Sequence, residues 1–160
     1  MNKKKKTEFR KFWTLFICLI IVYSVGFLGN LMAAGNSNSD WYESVKPDIT
    51  PPGFLFPVVW NILFFFIAIA LFIVWRQSKK QDKKEIIWVF GLNFVLNILW
   101  SFFYFGLRNP SAGLVDIVLL WVSILLMLHL SIRIDKRAYY LLLSYLAWVS
   151  FAGVLNYLSV

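Results

Sequence analysis

Apolar residues run through this chain in five long blocks, at 12–34, 53–75, 86–107, 112–132 and 138–158, separated by short polar or basic stretches. Each block is close to the length of about 20 residues that carries an α-helix across a hydrocarbon core of roughly 30 Å. None shows the sustained two-residue alternation of a membrane strand. Backbone groups in lipid need partners within the protein, and a helix supplies them inside its own segment. The pattern therefore predicts an all-α integral membrane protein: a bundle of five transmembrane helices in a single domain spanning 1–160, with a lid loop at 35–52.

Composition strengthens this reading. Hydrophobic residues make up 60% of the chain and mean hydropathy is +0.69, beyond what an ordinary soluble domain carries. The net charge of +8 would suit a nucleic-acid partner if the charge formed a patch, but its placement says otherwise. Lys3, Lys4, Lys5, Lys6, Arg10 and Lys11 precede the first span. Arg76, Lys79, Lys80, Lys83 and Lys84 follow the second, and Arg133, Lys136 and Arg137 follow the fourth. Of the 16 basic residues, fourteen thus fall on one side, leaving Lys46 and Arg108 on the other. Such a bias predicts an N-terminus in the cytoplasm, a C-terminus outside, and location in the cell membrane. It is a topology signal and not a nucleic-acid site, and it is compatible with contact to anionic membrane lipid. The opening "KKKKTEFRK" resembles the basic region of a signal peptide, and "MAAG" offers small residues for cleavage. The apolar stretch between them is longer than a signal core, so a retained helix is expected.

Cys18 stands alone and His129 is the single histidine, so neither an intrachain disulfide nor a metal cluster is expected. No nucleotide loop, nucleophile elbow or zinc motif is present, and no inverted repeat of the transporter kind.

Polar positions within the spans carry the remaining information, because a lipid-facing surface needs only apolar bulk. At 100° per residue, Asn93, Asn97, Trp100, Ser101, Tyr104 and Arg108 fall within an arc of about 100° on the third span. Tyr145, Trp148, Ala152, Asn156 and Ser159 share an arc of about 80° on the fifth. On the fourth, Asp116 shares a face with Ala112 and Ser123, while Trp121 and His129 lie elsewhere. Two readings of these stripes stay open: hydrogen bonds between helices, or the lining of a ligand cavity. Asp116 has the same two readings, since the start of a helix favours an anion. Gly26, Gly29, Asn30 and Ala33 cluster on one side of the first span, as close helix packing requires. By depth, Asn30, Trp60, Trp100, Tyr104, Asp116, Ala152 and Asn156 all fall in the outer half, which predicts a cavity opening outward beneath the loop.

The loop itself reads "WYESVKPDITPPGFLFPVVW" from Trp41 to Trp60. Thr50 suits an N-cap and Pro51 a first helical position, and Pro57 is expected to bend the first turns of the second span. Trp41 and Tyr42 bring flat apolar surface with polar tips.

That stretch, with "NFVLNILWSFFYF" and "YLAWVSFAGVLN", resembles in order and spacing the signatures of the tryptophan-rich sensory protein family, also known as the translocator protein or peripheral benzodiazepine receptor family. The resemblance covers all five spans, and the chain's 8 tryptophans suit it. It implies a five-helix bundle, commonly a homodimer, that binds porphyrins, sterols and benzodiazepine-like compounds beneath the first loop. By matching position it implies that Trp41, Tyr42, Pro51, Trp60, Asn93, Asn97, Trp100, Asp116, Tyr145, Trp148 and Ala152 line or close the pocket. Some bacterial relatives degrade porphyrin in light and oxygen, with the residues matching Tyr42 and Trp148 implicated. Two positions depart from the pattern. Ser144 stands where relatives often carry proline, and no basic residue follows "LNY" before Val160, which counts against sterol recognition at this end.

The expectation is a membrane sensory or binding protein for porphyrins and similar flat apolar ligands, with no required cofactor. The alternatives are a light- and oxygen-dependent porphyrin-degrading enzyme and a transporter of tetrapyrroles or lipophilic metabolites. No acid–base pair supports ordinary catalysis, so any enzymatic role rests on the resemblance and on Trp148.

Overall fold

The computed structural model describes residues 3–33 and 35–160, with side chains from Thr7 onward. Its helices are α1 (Lys3–Met32), α2 (Asp40–Val45), α3 (Leu55–Gln77), α4 (Lys83–Ser101), α5 (Pro110–Ile134) and α6 (Lys136–Leu158). No strand occurs among the described residues. Five helical segments are long and apolar enough to cross a membrane, namely Thr7–Met32, Leu55–Gln77, Lys80–Gly106, Pro110–Ile134 and Lys136–Leu158. The predicted all-α, five-span architecture is the one observed. The helices close into a ring: α1 packs on α3, α3 on α6, α6 on α5, α5 on α4, and α4 back on α1. Val22, Ala68, Val74, Ile86, Ile124, Met127, Ala138 and Leu142 are fully buried inside it.

Helix ends follow local chemistry. Asn109 caps α5, its side-chain oxygen accepting the Ala112 N–H at 3.0 Å, with Pro110 in the first helical position. There the missing proline N–H costs nothing. Asp135 caps α6 by accepting the Arg137 N–H at 2.9 Å. The Arg137 guanidinium also holds this carboxylate, at 3.1 and 2.8 Å, and these bonds keep the Asp135 carboxyl below the usual carboxylate range. α1 begins well before residue 12, because the basic run ahead of it consists largely of good helix formers. Ala34, the expected end of the first span, lies outside the described residues.

The start of α3 corrects the sequence reading. Thr50 is not an N-cap and Pro51 is not helical. The Thr50 N–H instead bonds the Pro47 carbonyl at 2.9 Å, and the helix opens at Leu55 with Phe54 in the cap position. Consecutive prolines favour this, since a proline disfavours the helical region for the residue before it, and ahead of Leu55 no formed turn overrides that preference as it does at Phe56. Thr50 precedes Pro51 and Pro51 precedes Pro52, so the chain is held out of the helical region over two successive residues and turns helical only after both. Pro57 then falls in the first turn of α3, where the N–H has no intrahelical acceptor in any case. The predicted reason for a bend at that residue disappears.

The third span also differs from a plain helix. The α-helical hydrogen bonding of α4 ends at Ser101, and Phe102–Gly106 forms a π turn, in which each turn takes up extra chain. The Leu107 N–H closes it on the Phe102 carbonyl at 2.8 Å. Arg108 lies beyond the helix in a left-handed conformation, φ 51°, and so leaves the polar stripe on which it was expected. On the face of α1 expected to pack closely, an added Cβ at Gly26 would collide with the Phe64 ring, and one at Gly29 would sit 3.3 Å from the Ser101 hydroxyl. Ala33 is buried, whereas Asn30 is exposed and takes no part in that face.

Candidate functional site

The lid is more ordered than a simple loop. A turn of 3-10 helix at Asn36–Asn38 leads into α2, where the Ser39 hydroxyl accepts the Tyr42 N–H at 3.3 Å. Ser39 followed by Asp40 and Glu43 is the signal that would have revealed this helix, a cap residue ahead of acids in the first turn. The lid is tied to the π turn at two levels. The Asn36 amide donates to the Phe105 carbonyl at 2.9 Å, and Arg108 donates to the Asn36 side-chain oxygen at 2.9 Å. Above these bonds, Trp41 sets its ring against Tyr104 with centroids 5.9 Å apart, and Tyr42 sets its ring against Phe105 at 5.4 Å. Burial, with Tyr104 and Glu43 nearby, pushes the Tyr42 phenol up to about 12. It is therefore a neutral hydrogen-bonding group at any ordinary pH.

Beneath the lid, the stripes of α4 and α6 meet face to face. Asn97 donates to the Tyr145 hydroxyl at 3.0 Å, and that hydroxyl donates to the Asn93 oxygen at 3.3 Å. The Asn93 amide donates to Ser123 of α5 at 2.9 Å, and the Ser123 hydroxyl donates to the Leu120 carbonyl at 2.6 Å. One turn nearer the lid, the Trp100 indole donates to Asn156 at 3.0 Å, and the Asn156 amide donates to the Pro110 carbonyl at 2.8 Å. Tyr104 and Ser159 share a hydrogen bond of 2.9 Å. Of the two readings left open, hydrogen bonding between helices is thus realised in this conformation.

Aromatic rings fill the spaces between these bonds. Trp100 stacks on Tyr104 at 5.5 Å, extending the Trp41–Tyr104–Phe105–Tyr42 cluster. Trp60 meets Tyr145 at 6.3 Å. Trp148 meets Phe56 at 5.8 Å and Phe151 at 5.7 Å. Ala152 is buried on the same helix, one turn on.

The structure therefore gathers Trp60, Asn93, Asn97, Trp100, Tyr145 and Ala152 around one interior, with Trp41 over it. Tyr42 joins the lid-side cluster of Trp41, Tyr104, Phe105 and Trp100, whereas Trp148 belongs to a cluster with Phe56 and Phe151. Pro51 is half-buried in the segment leading to α3 and enters neither the polar network nor the ring contacts. Phe56 and Phe105 were not singled out from sequence, because a phenylalanine in a membrane span is indistinguishable there from lipid-facing bulk. Asn36 carried no signal at all, as its partners lie 69 and 72 residues away.

Among the described residues, three buried polar atoms in this lid-side half have no hydrogen-bond partner: Thr50 Oγ1, Asp116 Oδ2 and Trp148 Nε1. Asp116 is 3% exposed, so one carboxylate oxygen is withheld from water as well. An unpaired buried donor or acceptor is costly, and such groups in a native fold call for a reason. The candidate cavity expected to open outward is, in this conformation, packed with rings and paired amides. Two cavities of about 400 and 220 Å³ lie at the opposite, basic end. No group of three or more metal-ligating side chains occurs among the described residues.

Five apolar spans in a ring, an interior polar network and an aromatic lid define an integral membrane protein organised around an interior at one end of the bundle. The profile of the TspO/MBR family matches residues 16–159. The chain is 41% identical over 147 residues to the tryptophan-rich protein TspO of Chlorobaculum tepidum, covering 90% of this chain and 92% of that one. It is 40% identical over 144 residues to the tryptophan-rich protein TspO of Archaeoglobus fulgidus, covering 89% and 92%. It is 29% identical over 138 residues to the translocator protein of Bos taurus, covering 82% and 79%. This protein belongs to the TspO/MBR family.

Proposed function

We propose that this chain binds a flat, largely apolar ligand with polar edges, a porphyrin or a compound of benzodiazepine type, between the lid and the lid-side halves of the spans. The observation that carries the reading is the coexistence of unpaired Thr50, Asp116 and Trp148 polar atoms with the aromatic walls of Trp60, Trp100, Tyr145 and Trp148. Flat rings with a few unmet polar groups are what such a ligand needs. The ligand enters by lifting the lid from Tyr104 and Phe105, and its polar edge takes up groups that the ligand-free fold leaves without partners. A second reading, degradation of the bound porphyrin by light with molecular oxygen as the oxidant, rests on the half-buried, electron-rich indole of Trp148.

Titration of the purified protein with a porphyrin in darkness tests the binding proposal. Saturable binding is expected, weakened roughly fivefold by Asn93→Leu, about the worth of one lost hydrogen bond of the network that positions Tyr145. Ile98→Leu, off the stripe and outside the network, leaves affinity unchanged. Equal effects of the two substitutions in folded protein, or linear uptake without saturation, would remove the site from the interior.

The proposed orientation places the N-terminus in the cytoplasm and the lid outside, as the basic residues direct. In a Cys18→Ala chain, a cysteine at Ser37 should react with an impermeant reagent applied to intact cells, and one at Lys80 should react after the membrane is opened. External labelling of both positions would refute this orientation.

A further inference from the structure

The cavity of about 400 Å³ at the basic end is lined by Thr7, Arg10 and Thr14 of α1, Trp75 and Arg76 of α3, and Lys83 of α4. Three cations from three different helices thus surround one space, and among the described residues no acidic side chain lines it. Lys83 is pinned there, its ammonium 4.2 Å from the centroid of the Trp75 ring and donating to the Trp75 carbonyl. The neighbouring carboxylates make their hydrogen bonds and ion pairs elsewhere, although Asp82 lies near enough to Lys83 to act on its charge. Glu8 pairs with Lys11 at 2.7 Å, Asp82 accepts the Lys79 N–H at 3.1 Å, and Glu85 pairs with Arg133 at 3.3 Å. Among the described residues, neither the Arg10 nor the Arg76 guanidinium has a carboxylate partner.

Position makes this arrangement specific. Trp75, Arg76 and Lys83 lie at the ends of membrane-spanning segments, where the hydrocarbon gives way to the headgroup layer. An indole in the wall suits that depth. Guanidinium groups present forked donors that match the oxygens of a phosphate, and basic pockets between spans are a recurrent way of holding acidic lipid headgroups. Beside the cavity, α1 exposes Phe9, Phe12, Trp13 and Phe16, an apolar surface on which acyl chains can lie.

We propose that this cavity holds the phosphate of an anionic phospholipid from the adjoining leaflet, clamped by Arg10, Arg76 and Lys83. The site ties α1, α3 and α4 together at the end opposite the lid. It is independent of whether a porphyrin binds beneath that lid.

The test uses the delipidated full chain in neutral detergent, with lipid retention followed by native mass spectrometry and thermal unfolding. Phosphatidylglycerol is expected to be retained and to raise the unfolding temperature, whereas phosphatidylcholine with the same acyl chains does neither. Arg10→Gln/Arg76→Gln is expected to weaken phosphatidylglycerol binding by roughly thirtyfold, from the typical worth of two basic contacts at a membrane surface. Lys80→Gln/Lys84→Gln removes the same charge at the same end but outside the cavity, and is expected to change binding by no more than about twofold. Should the double arginine variant not fold, Arg76→Gln alone carries the comparison with an intermediate loss. Equal retention of the two lipids, or equal weakening by the arginine and lysine pairs, would overturn the site. Displacement of phosphatidylglycerol by millimolar inorganic phosphate would show the occupant to be free phosphate, and would overturn the lipid assignment.

Discussion

Gly106→Ala is expected to destabilise the bundle by about 2–3 kcal/mol, in the upper part of the range for overpacking a filled interior. The cause is backbone against backbone. A Cβ at Gly106 would sit 2.5 Å from the Met32 carbonyl oxygen, with the Phe102 ring at 3.3 Å on another side. A ring can rotate away, but a carbonyl at the end of α1 moves only if the helix does. The π turn that contains Gly106 also carries Tyr104 and Phe105, the rings on which the lid rests, so separation there loosens the lid too. Thermal unfolding in detergent measures the effect, with Gly91→Ala as the control. An added Cβ at Gly91, within the same span, meets nothing within 4 Å, and that change should be neutral or slightly stabilising because alanine is the better helix former. Equal unfolding temperatures for the two variants would show that the close approach of α1 to the π turn is not what holds this end.

Trp148→Phe is expected to lower dark porphyrin affinity by about 0.5–1.5 kcal/mol, at most the worth of one aromatic contact. The fold itself should tolerate the change. The Trp148 N–H has no partner to lose, and a phenyl ring retains an aromatic surface facing Phe56 and Phe151. Titration in darkness gives the affinity, and illumination at saturating porphyrin then separates contact from chemistry. If the indole serves as a binding wall, light-dependent loss per bound porphyrin is unchanged in the variant. A steep fall in that loss with intact dark affinity would assign Trp148 to photochemistry instead. Unchanged affinity together with unchanged photobleaching would exclude the residue from both tasks.

The architecture was legible because its signals are long. Twenty apolar residues have few uses other than crossing a membrane, and a helix places residues of one stripe on one side whatever surrounds it. The stripes therefore led correctly to Asn93, Asn97, Trp100, Tyr145 and Asn156 as interior groups. What those groups do there was not legible. An inward-facing amide satisfies the sequence pattern equally well by bonding Tyr145 or by facing a ligand, and the choice depends on how far apart the helices stand. The start of α3 was misplaced because each proline was judged singly, as a good first residue of a helix, when Pro51 and Pro52 together disfavour one. The π turn had no readable cause in "SFFYFG". It arises where Gly106 meets a carbonyl from a helix more than seventy residues earlier, and that removed Arg108 from a stripe drawn with ideal geometry.

The order of helices around the ring bears on how the protein is made. Tyr145 and Asn156 supply partners for Asn93, Asn97 and Trp100, and both belong to α6, which leaves the ribosome after α4 and α5. It must take its place between α3 and α5. Until it does, Asn97 and the Trp100 indole lack those partners, Asn93 holds only Ser123 of α5, and the circle stays open on one flank. The nascent chain thus carries a polar seam that α6 covers. A membrane protease or chaperone that recognises amides in hydrocarbon has, in that seam, a means of telling an unfinished copy from a finished one.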